Sequence, residues 1–581
     1  MLVFYDIEVF KHDSLVVFKD INNQEIAHFW NPFHSDDIYN VIAGNVLIGY
    51  NNHHYDDLIL AAMIYESRQA VIKGINDTII KGGNVISSET RVKDIPELYN
   101  SLDCFQQIDV SMPSLKRIEG NMGRSILESA TPFNIDRPLT EEEKETVLNY
   151  CRYDVENTIE IYKLRTKSYF EARTELLNMI PEKERKKMVR NNTTSLSGFI
   201  LLGRNKLNTN NHIVPTIEGV PEEVVQMWRN AEGLSNLSEL ETKKYVHHEY
   251  GTEFTFGFGG LHGINDDGQK RFSKLKLLDV ASMYPSIIIY LQALGEEGTR
   301  KYKELRDERV SIKHTDPVRA GALKLILNSV YGNLKNQYSV LFNPIMAVSV
   351  CVYGQRALYD LCGRLYRAGY KIVNVNTDGV GFVDNMHIDE HNTEPLYRSI
   401  WKQWEIDWHM QLELDEFDTW IQKDVNNYIA KQGDHIKVKG GDVNKYHSDK
   451  FFANNNARII QIALVEKVIN GTSPTKTIQN HLDQPEVFQY ILSAGRTFKG
   501  VEDDNGVQQQ NVNRIFAVRS TAPGQIKLYK ITQDGRRINF PDMPDRYKLW
   551  NDEVSKYTAF RDEVDINHYI KIVNKNLERW K

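Results

Sequence analysis

The sequence predicts an α/β protein built from several domains. A chain of 581 residues is too long to fold around a single hydrophobic core. Strand-like runs alternate with segments of helical period, and 41% hydrophobic and 26% charged residues are typical of globular proteins. The chain has no evident repeat or low-complexity tract. We expect domain boundaries that give the segments 1–165, 166–271, 272–295, 296–336, 337–445 and 446–581.

Charge is distributed unevenly along the chain. Residues 1–165 hold 15 Lys and Arg against 26 Asp and Glu, whereas the remainder holds 56 against 52. An acidic N-terminal domain suits carboxylate-bound metals, and a more basic remainder suits contacts with phosphates. An acidic solvated surface explains the same charge distribution equally well.

The apolar runs and the cysteines argue against several classes of protein. The longest apolar run, around Ile287–Leu291, is too short to span a bilayer. Asp6 and Glu8 interrupt the N-terminal apolar segment, which argues against a secretory signal. The four cysteines have no CxxC spacing, which argues against a zinc or iron–sulfur site and favours a reducing cytoplasm.

The N-terminal segment Met1–Phe10 has the pattern of a buried strand that carries two acids. Asp6 and Glu8 are two residues apart and therefore point to the same face. Burying two like charges on one face is costly unless something neutralises them, and a metal ion would do so. The alternative is an edge strand whose two acids are solvated.

Two later stretches add carboxylates to this pair. A predicted strand runs into a polar turn and a helix, with Asp56 at the entry of the helix. A capping box at Thr140 opens another helix, which carries Tyr150 and Asp154 on one face. Four carboxylates are enough for two metal ions, with Tyr150 able to orient a water molecule. Such an arrangement suits hydrolysis of a phosphodiester.

Three motifs of this region resemble those of the DEDDy 3′–5′ proofreading exonucleases. In chain order, they are Asp6-x-Glu8, Asn52-x-x-Tyr55-Asp56 and Tyr150-x-x-x-Asp154. The resemblance implies an RNase H-like nuclease domain over 1–165 that acts on a single-stranded DNA 3′ end. It also implies DNA contacts by Asn52 and Tyr55, and by Ser114 and Leu115. An ordinary helix N-cap at Ser114 explains the short motif Ser114-Leu115-x-x-Ile118 equally well.

Two further acids, Asp279 and Asp378, are the candidate metal ligands of the central region. Asp279 closes an alternating apolar run, and Asp378 lies in a predicted strand, tight turn and returning strand around Asn376–Gly379. Carboxylates at two strand ends, together with a cationic helix, suit a pair of divalent cations that carry phosphates. The sequence therefore predicts a nucleotidyl-transfer centre.

A helical hairpin is predicted between these acids. Gly298–Lys313 and Pro317–Leu334 have helical patterns, with Asp316 suited to cap the second helix and Pro317 to begin it. An αα-hairpin of this kind is a compact module. Three side chains share one face of its second helix: Lys324, Asn328 and Tyr331.

The central region resembles family B DNA polymerases at two motifs. They are Asp279-Val280-x-Ser282-Met283-Tyr284-Pro285-Ser286 for motif A and Lys324-x-x-x-Asn328-Ser329-x-Tyr331-Gly332 for motif B. The resemblance implies a right-hand polymerase behind the nuclease. The palm would comprise 272–295 and 337–445, the fingers 296–336, and the thumb with an extension 446–581. Segment 166–271 would connect the nuclease to the palm.

The same resemblance implies roles for individual residues. Asp279, Val280 and Asp378 would belong to the metal site. Lys324 would meet the triphosphate, and Tyr284 would lie under the sugar and exclude a 2′-hydroxyl. Asn328 and Tyr331 would pack against the nascent base pair. Arg319 and Lys313 are further candidates for the phosphates, with solvated surface charge as the alternative.

Two elements depart from the family pattern. Asn376 stands where motif C usually has its first aspartate. Since the second, Asp378, is present, we expect activity to survive; the alternative is an inactive polymerase kept for its nuclease. Gly257 replaces the tyrosine of the Tyr-x-Gly-Gly element, so a plain β-turn competes with DNA contact by Gly259 and Gly260.

Several residues of the palm are candidates for contacts with the two DNA strands. Arg356 stands at the position of a template contact. Tyr428 corresponds to the tyrosine of the Lys-x-Tyr primer motif, whose lysine is replaced in this sequence. Lys431, or Lys437 and Lys439, are candidates to supply the missing cation.

Taken together, the motifs predict a template-directed DNA polymerase with a proofreading 3′–5′ exonuclease. We expect Mg²⁺, with Mn²⁺ able to replace it, as two ions in each active site. The partners would be primer–template DNA, deoxynucleoside triphosphates and replisome proteins. The short intervals between motifs leave little room for the insertions of protein-primed polymerases, and the compact chain is similar to bacteriophage replicases. We expect a monomer in the cytoplasm, the host's if the protein is viral.

Two other classes of function stay open at this point. One is a dedicated 3′–5′ exonuclease whose polymerase-like half only grips DNA. The other is a non-catalytic module that binds a primer–template. The latter leaves the metal-site carboxylates of both regions unexplained.

Overall fold

The chain forms two compact units in a computed structural model. The structure describes residues 1–31, 35–65, 67–83, 85, 100–208, 212–234, 237–383, 395–447, 455–495 and 497–581. Unit 1 comprises Met1–Asn192, Ser448–Ile459 and Asn480–His568. Unit 2 comprises Thr193–His447, Ile460–Gln479 and Tyr569–Lys581.

The strands of the described chain are numbered in sequence order. They are β1 Leu2–Val9, β2 Ser14–Asp20, β3 Glu25–Trp30, β4 Val46–Gly49, β5 Asn100–Asp103, β6 Lys244–Glu249, β7 Thr252–Gly257, β8 His262–Asn265, β9 Arg271–Val280, β10 Lys371–Asn376, β11 Gly379–Val383, β12 Leu412–Asp424, β13 Asn427–Gln432, β14 His435–Lys439, β15 Tyr490–Ser493, β16 Gly500–Asp503, β17 Gln508–Gln509, β18 Val512–Ala517, β19 Gln525–Ile526, β20 Leu528–Ile531, β21 Arg537–Asn539 and β22 Tyr547–Leu549.

The α-helices are numbered in the same way. They are α1 Ser35–Ile42, α2 Asp56–Ile64, α3 Gln69–Ile80, α4 Leu115–Asn121, α5 Glu141–Arg165, α6 Glu171–Asn178, α7 Glu182–Met188, α8 Thr193–Leu202, α9 Glu222–Arg229, α10 Ser238–Glu241, α11 Met283–Tyr290, α12 Gly295–Ile312, α13 Pro317–Lys335, α14 Pro344–Arg367, α15 Leu396–Trp408, α16 Ile459–Asn470, α17 Pro474–Asn480, α18 Phe560–Glu563 and α19 Ile566–Leu577.

The first part of unit 1 is a five-stranded sheet with helices on both faces. Its strand order is β3-β2-β1-β4-β5; β1 pairs antiparallel with β2 and parallel with β4. Alternate residues of β1 belong to different apolar clusters: Tyr5 and Ile7 pack with α2 and α3, and Phe4 packs with α5. Asp6 and Glu8 therefore lie on the α5 face, as predicted. The alternative of an edge strand is wrong, because β1 is central.

Local sequence signals in unit 1 are confirmed. Thr140 and Glu143 form the predicted capping box at the start of α5. Asp56 is the first residue of α2, which follows strand β4 after a short polar turn. Helix α5 therefore begins where its capping box places it, and α2 begins at Asp56 as predicted, without a side-chain cap.

The C-terminal part of unit 1 contains two four-stranded sheets, in the orders β15-β18-β22-β19 and β17-β16-β20-β21. This part packs on the segment that joins α4 to α5. Arg514 of β18 is fully buried, and its guanidinium donates to the main-chain carbonyls of Gly120 at 3.0 Å, Arg124 at 2.7 Å and Asp552 at 2.6 Å. Ile126 N also donates to Asn551 O at 2.7 Å. These bonds join distant parts of the sequence into one unit.

Unit 2 is organised around a nine-stranded antiparallel sheet. Its order is β14-β13-β12-β9-β11-β10-β8-β7-β6. The predicted hairpin is confirmed: β10 ends at Asn376, β11 begins at Gly379, and these two residues pair. The predicted helical hairpin is also confirmed as α12 and α13, with the side chain of Asp316 accepting from Arg319 N at 3.0 Å.

The predicted segment 446–581 is divided between the two units. Asn480–His568 belongs to unit 1, whereas Ile460–Gln479 and Tyr569–Lys581 belong to unit 2. Within the described ranges, no helix is both long enough and apolar enough to cross a membrane.

Arg514→Met is expected to lower the free energy of unfolding of unit 1 by about 3 kcal/mol, because several buried carbonyls lose their donor. Calorimetric unfolding would measure the loss. The matched control is Arg536→Met, since Arg536 is exposed and paired only with Asp534 at 2.7 Å. Equal transition temperatures for the two variants would contradict the role assigned to Arg514.

Candidate active sites

Four carboxylates converge at one face of the sheet in unit 1; we call them the acidic cluster. Asp6 and Glu8 come from β1, Asp56 from the start of α2, and Asp154 from α5. Each of the four is buried or half-buried, and the charge of Asp6 raises the pKa of both Glu8 and Asp56. The structure thus brings together all four acids that the sequence predicts.

Burial and mutual repulsion dominate the electrostatics of the acidic cluster. Burial first, and then the charge of Asp154, raise the pKa of Asp6 from 3.8 to about 7. Burial likewise raises the pKa values of Glu8, Asp56 and Asp154. Carboxylates that are buried close together are stabilised by protonation or by a bound cation.

Lys116 of α4 is the cation beside this cluster. Its ammonium pairs with Asp154, lies 3.2 Å from Glu119 Oε1, and is 4.5 Å from the ring centre of Tyr150. Burial alone would lower the pKa of Lys116, but the charges of Asp154 and Glu119 raise it above its ordinary value. A single ammonium cannot neutralise the whole cluster, and it is already shared by two acids.

The donor set of the acidic cluster fits divalent cations. Oδ1 of Asp56 is buried and has no hydrogen-bond partner. Potential ligand atoms of Asp6, Glu8 and Cys151 lie within 4.8 Å of one another. Buried, uncompensated carboxylate oxygens are the ligands that Mg²⁺ and Mn²⁺ prefer.

The predicted DNA-contacting residues of unit 1 lie around this cluster, but several have internal partners. Asn52 is fully buried and donates to Ser101 Oγ at 2.7 Å. Tyr55 donates to Asn76 Oδ1 at 2.6 Å. Ser114 accepts from Arg117 N at 3.4 Å as the N-cap of α4, and Leu115 packs against the core. Their contacts with DNA stay predictions.

Sequence reasoning missed Lys116 and Asp57. Lys116 occupies a variable position of the short motif at Ser114, so nothing in the pattern marks it. Asp57 is fully buried and binds the side chains of Tyr5, Ser101 and Arg190. It follows Asp56 directly, and only the tertiary contacts assign it to the scaffold rather than to the cluster.

The second pair of acids lies at one end of the sheet in unit 2. Gly379 pairs with Asp279 between β11 and β9, and Asp378 immediately precedes Gly379, so the two acids lie at adjacent strand ends. Val280 N also donates to Asp378 O at 2.7 Å, which fixes the two strand ends together. A Cβ atom on Gly379 would lie 2.6 Å from Asp279 Oδ1, so a larger residue there would displace the Asp279 carboxylate.

Repulsion is present in this pair too, with partial compensation. Burial first, and then the charge of Asp378, raise the pKa of Asp279 from 3.8 to about 6. Burial raises the pKa of Asp378, whereas the charges of Lys439 and Lys437 oppose the rise. These two acids, with their strand-end position, fit divalent cations that carry phosphates.

The turn that presents Asp378 is held by its neighbours. Thr377 has a positive φ of 63° and its N–H donates to Leu261 O at 2.9 Å. A Cβ atom on Gly260 would lie 2.5 Å from Thr377 Cα, so Gly260 permits this close approach. Asn376 donates through its amide to Val425 O at 2.9 Å. Gly260 thus has a structural role, and DNA contact by Gly259 and Gly260 stays a prediction.

The predicted DNA contacts of the palm region also have partners in the fold. Arg356 donates to Glu218 O at 2.6 Å. Tyr428 is buried and stacks on Trp420 with ring centres 4.0 Å apart. Lys439 is exposed, pairs with Tyr428 across β13 and β14, and has its Nζ 6.0 Å from that ring. Lys439 has the most accessible side chain of the three.

The predicted nucleotide-binding face lies on α13. Lys324 and Asn328 are exposed, and Tyr331 is half-buried with its ring 4.5 Å from that of Tyr284. Arg319 pairs with Glu308 at 2.5 Å, and Lys313 is exposed at the end of α12. Two aromatic rings beside an exposed lysine and amide can receive a base and its phosphates.

Comparison with known proteins gives distant similarity to solved structures. No family model matches the chain, and no curated protein matches it. Among solved structures, the chain is similar to the family B DNA polymerase from the hyperthermophilic archaeon Pyrobaculum calidifontis, with a TM-score of 0.44 and 14% sequence identity. The similarity covers 100% of this chain and 77% of that one. At this TM-score we take no inference about fold or function from it.

The acidic cluster predicts a pH dependence of stability without divalent cations. Folded Asp6 keeps a proton up to about pH 7, whereas the unfolded chain releases it near the ordinary pKa of 3.8. The free energy of unfolding should therefore fall as pH rises through this range. Calorimetry should show a shallower fall for Asp6→Asn than for the wild type.

A suitable control is Asp136→Asn. Asp136 is exposed, and its ion pair with Lys11 lowers its pKa, so its titration lies below this range. The control should keep the slope of the wild type. The same slope in Asp6→Asn would show that the cluster does not hold Asp6 protonated.

Proposed function

We propose that the chain is a template-directed DNA polymerase that extends a primer 3′ end, with a 3′–5′ exonuclease in unit 1. The observation that carries the proposal is the strand register of unit 2. It brings Asp279 and Asp378 to adjacent strand ends of the sheet, although they are far apart in sequence. The same unit presents Lys324 on an exposed helix face.

In the polymerase site, the chain binds and orients the reactants. Two divalent cations, Mg²⁺ or Mn²⁺, would activate the attacking 3′-oxygen and neutralise charge on the phosphates. Asp279 and Asp378 would hold them, with Val280 able to offer its main-chain carbonyl. Lys324 would pair with the triphosphate as a point charge.

The aromatic pair of unit 2 supports a role in nucleotide selection. Tyr284 and Tyr331 are in ring contact, and both are half-buried. Tyr284 would lie under the deoxyribose and leave no room for a 2′-hydroxyl, while Tyr331 and Asn328 would pack on the nascent base pair. The substrates would therefore be deoxynucleoside triphosphates, and α12 with α13 would serve as the fingers.

The nuclease proposal rests on the acidic cluster and its sheet. The order β3-β2-β1-β4-β5, with an antiparallel start and parallel additions, supports an RNase H-like domain. Asp6, Glu8, Asp56 and Asp154 would hold two cations, and Tyr150 would orient a water molecule towards the terminal phosphodiester. Lys116 would keep Asp154 ionised and in place.

A dedicated 3′–5′ exonuclease is the second candidate, with unit 2 serving only to grip DNA. One observation favours it. Asn376, where family B polymerases usually have an acid, is bound to Val425 O and carries no charge. The polymerase site then has two carboxylates, whereas the acidic cluster of unit 1 has four.

The deciding experiment uses a labelled primer–template and Mg²⁺, with and without the four deoxynucleoside triphosphates. The proposed enzyme extends the primer when nucleotides are present and degrades its 3′ end when they are absent. Degradation in both conditions would support the dedicated nuclease, and the absence of both reactions would support a non-catalytic module. Asp378→Asn should abolish extension only, and Asp154→Asn should abolish degradation only.

Gly379→Ala should lower the rate of primer extension by about 100-fold, because the new Cβ displaces the Asp279 carboxylate from its position. Single-nucleotide incorporation under single-turnover conditions measures the effect. Gly381→Ala is the matched control on the same strand, since its Cβ would meet neighbours at an ordinary 3.5 Å. Equal rates for the two variants would show that the position of the Asp279 carboxylate does not affect the reaction.

A further inference from the structure

A buried thiol is part of the acidic cluster in unit 1. Cys151 lies on α5, one residue after Tyr150, and its Sγ is 3.5 Å from Asp6 O and 3.7 Å from Asp6 Oδ2. Sγ and one carboxylate oxygen each of Asp6 and Glu8 lie within 4.8 Å of one another. In the part of the chain that the structure describes, this is the only such group of three potential metal ligands.

A second observation points to a cation at the same place. Asp56 is only 4% exposed and its Oδ1 is buried without a partner, while its charge repels those of Asp6 and Glu8. Lys116 does not relieve this repulsion fully, since its ammonium pairs with Asp154 and Glu119. A carboxylate oxygen of this kind lacks a positive neighbour, which a bound ion would provide.

Ligand chemistry separates the ions that such a site takes. Mg²⁺ prefers oxygen ligands, so it uses the carboxylates and leaves a thiol unused. Zn²⁺ and Cd²⁺ are softer and bind thiolate together with carboxylate. Cys151 therefore adds a ligand that only the softer ions use.

We propose that Asp6, Glu8 and Cys151 form a binding site for a thiophilic divalent ion, Zn²⁺ or Cd²⁺, which competes with Mg²⁺ and stops the nuclease. The inhibition rests on the proposed nuclease function, whereas the binding does not. When the ion binds, a metal–sulfur bond forms, the S–H bond breaks, and the proton passes to solvent. No electron is transferred, so no oxidant or reductant is required.

The acid pair of unit 2 lacks a comparable site in the described residues. Asp279 and Asp378 belong to no group of three ligands that includes a cysteine or histidine. The softer ion should therefore affect degradation at concentrations that leave primer extension unchanged. Excess zinc would then inhibit 3′ degradation at a lower concentration than it inhibits primer extension.

The first test is a Cd²⁺ titration of the full chain, in buffer without thiol reductants, followed by ultraviolet charge-transfer absorption from thiolate to metal. We expect one such site in the wild type and in Cys104→Ser, and its loss in Cys151→Ser. Cys104 is the matched control, because it is buried in the same unit but lies near Thr158 O at 3.9 Å rather than near the cluster. A band of equal strength in Cys151→Ser would overturn the proposal.

A second variant keeps the thiol and removes a carboxylate. Glu8→Gln should weaken Cd²⁺ binding by roughly tenfold or more, since it removes a ligand and not merely a supporting contact. Unchanged affinity in Glu8→Gln would overturn the proposal, because the thiol would then bind without the cluster. Near-ultraviolet circular dichroism checks that each variant is folded.

The consequence for activity is tested separately. With Mg²⁺ present, added Cd²⁺ should inhibit 3′ degradation by the wild type and by Cys104→Ser at concentrations that leave extension unchanged. Degradation that is insensitive to Cd²⁺ at site saturation would overturn the inhibitory role. If Mg²⁺ supports no degradation at all, yet the charge-transfer band depends on Cys151, the nuclease proposal fails and the metal site stands.

Discussion

Repulsion between closely placed carboxylates is the constraint on which both candidate sites depend. Burial first, and repulsion second, raise the pKa of Asp6 in unit 1 to about 7 and that of Asp279 in unit 2 to about 6. A fold that holds acids together at this cost has to be fixed by other contacts. A divalent cation would relieve this repulsion. The clustered acids of each site therefore destabilise the fold and favour the binding of a cation.

The contacts that resist this repulsion come from the backbone around each site. In unit 2, Gly379 removes the side chain that would strike Asp279, and Gly260 lets the neighbouring loop support the turn at Thr377. In unit 1, Arg514 fixes the chain just after α4, the helix whose Lys116 pairs with Asp154. Main-chain groups take part in both units: carbonyls accept from Arg514 in unit 1, and glycines allow close approach in unit 2.

Features that depend on short-range sequence patterns are predicted correctly. The hairpin at Asn376–Gly379, the helical hairpin, the cap at Thr140 and the shared face of Asp6 and Glu8 are all read from short-range patterns, and all are found. The return of Asn480–His568 to unit 1 is not predictable in this way, since it depends on bonds between residues hundreds of positions apart. Lys116 was missed for the same reason: its partner Asp154 is adjacent only in the folded chain.

Asn376 holds the turn that presents Asp378. Its amide donates to Val425 O at 2.9 Å and so ties the turn to the loop between β12 and β13. A carboxylate at this position has no N–H to donate, and it would face that carbonyl with a like partial charge. It would also add a third negative charge beside Asp279 and Asp378, whose repulsion is already offset only in part by Lys439. Asn376 therefore anchors the turn without adding a charge, and hydrogen bonding helps to fix the position of Asp378.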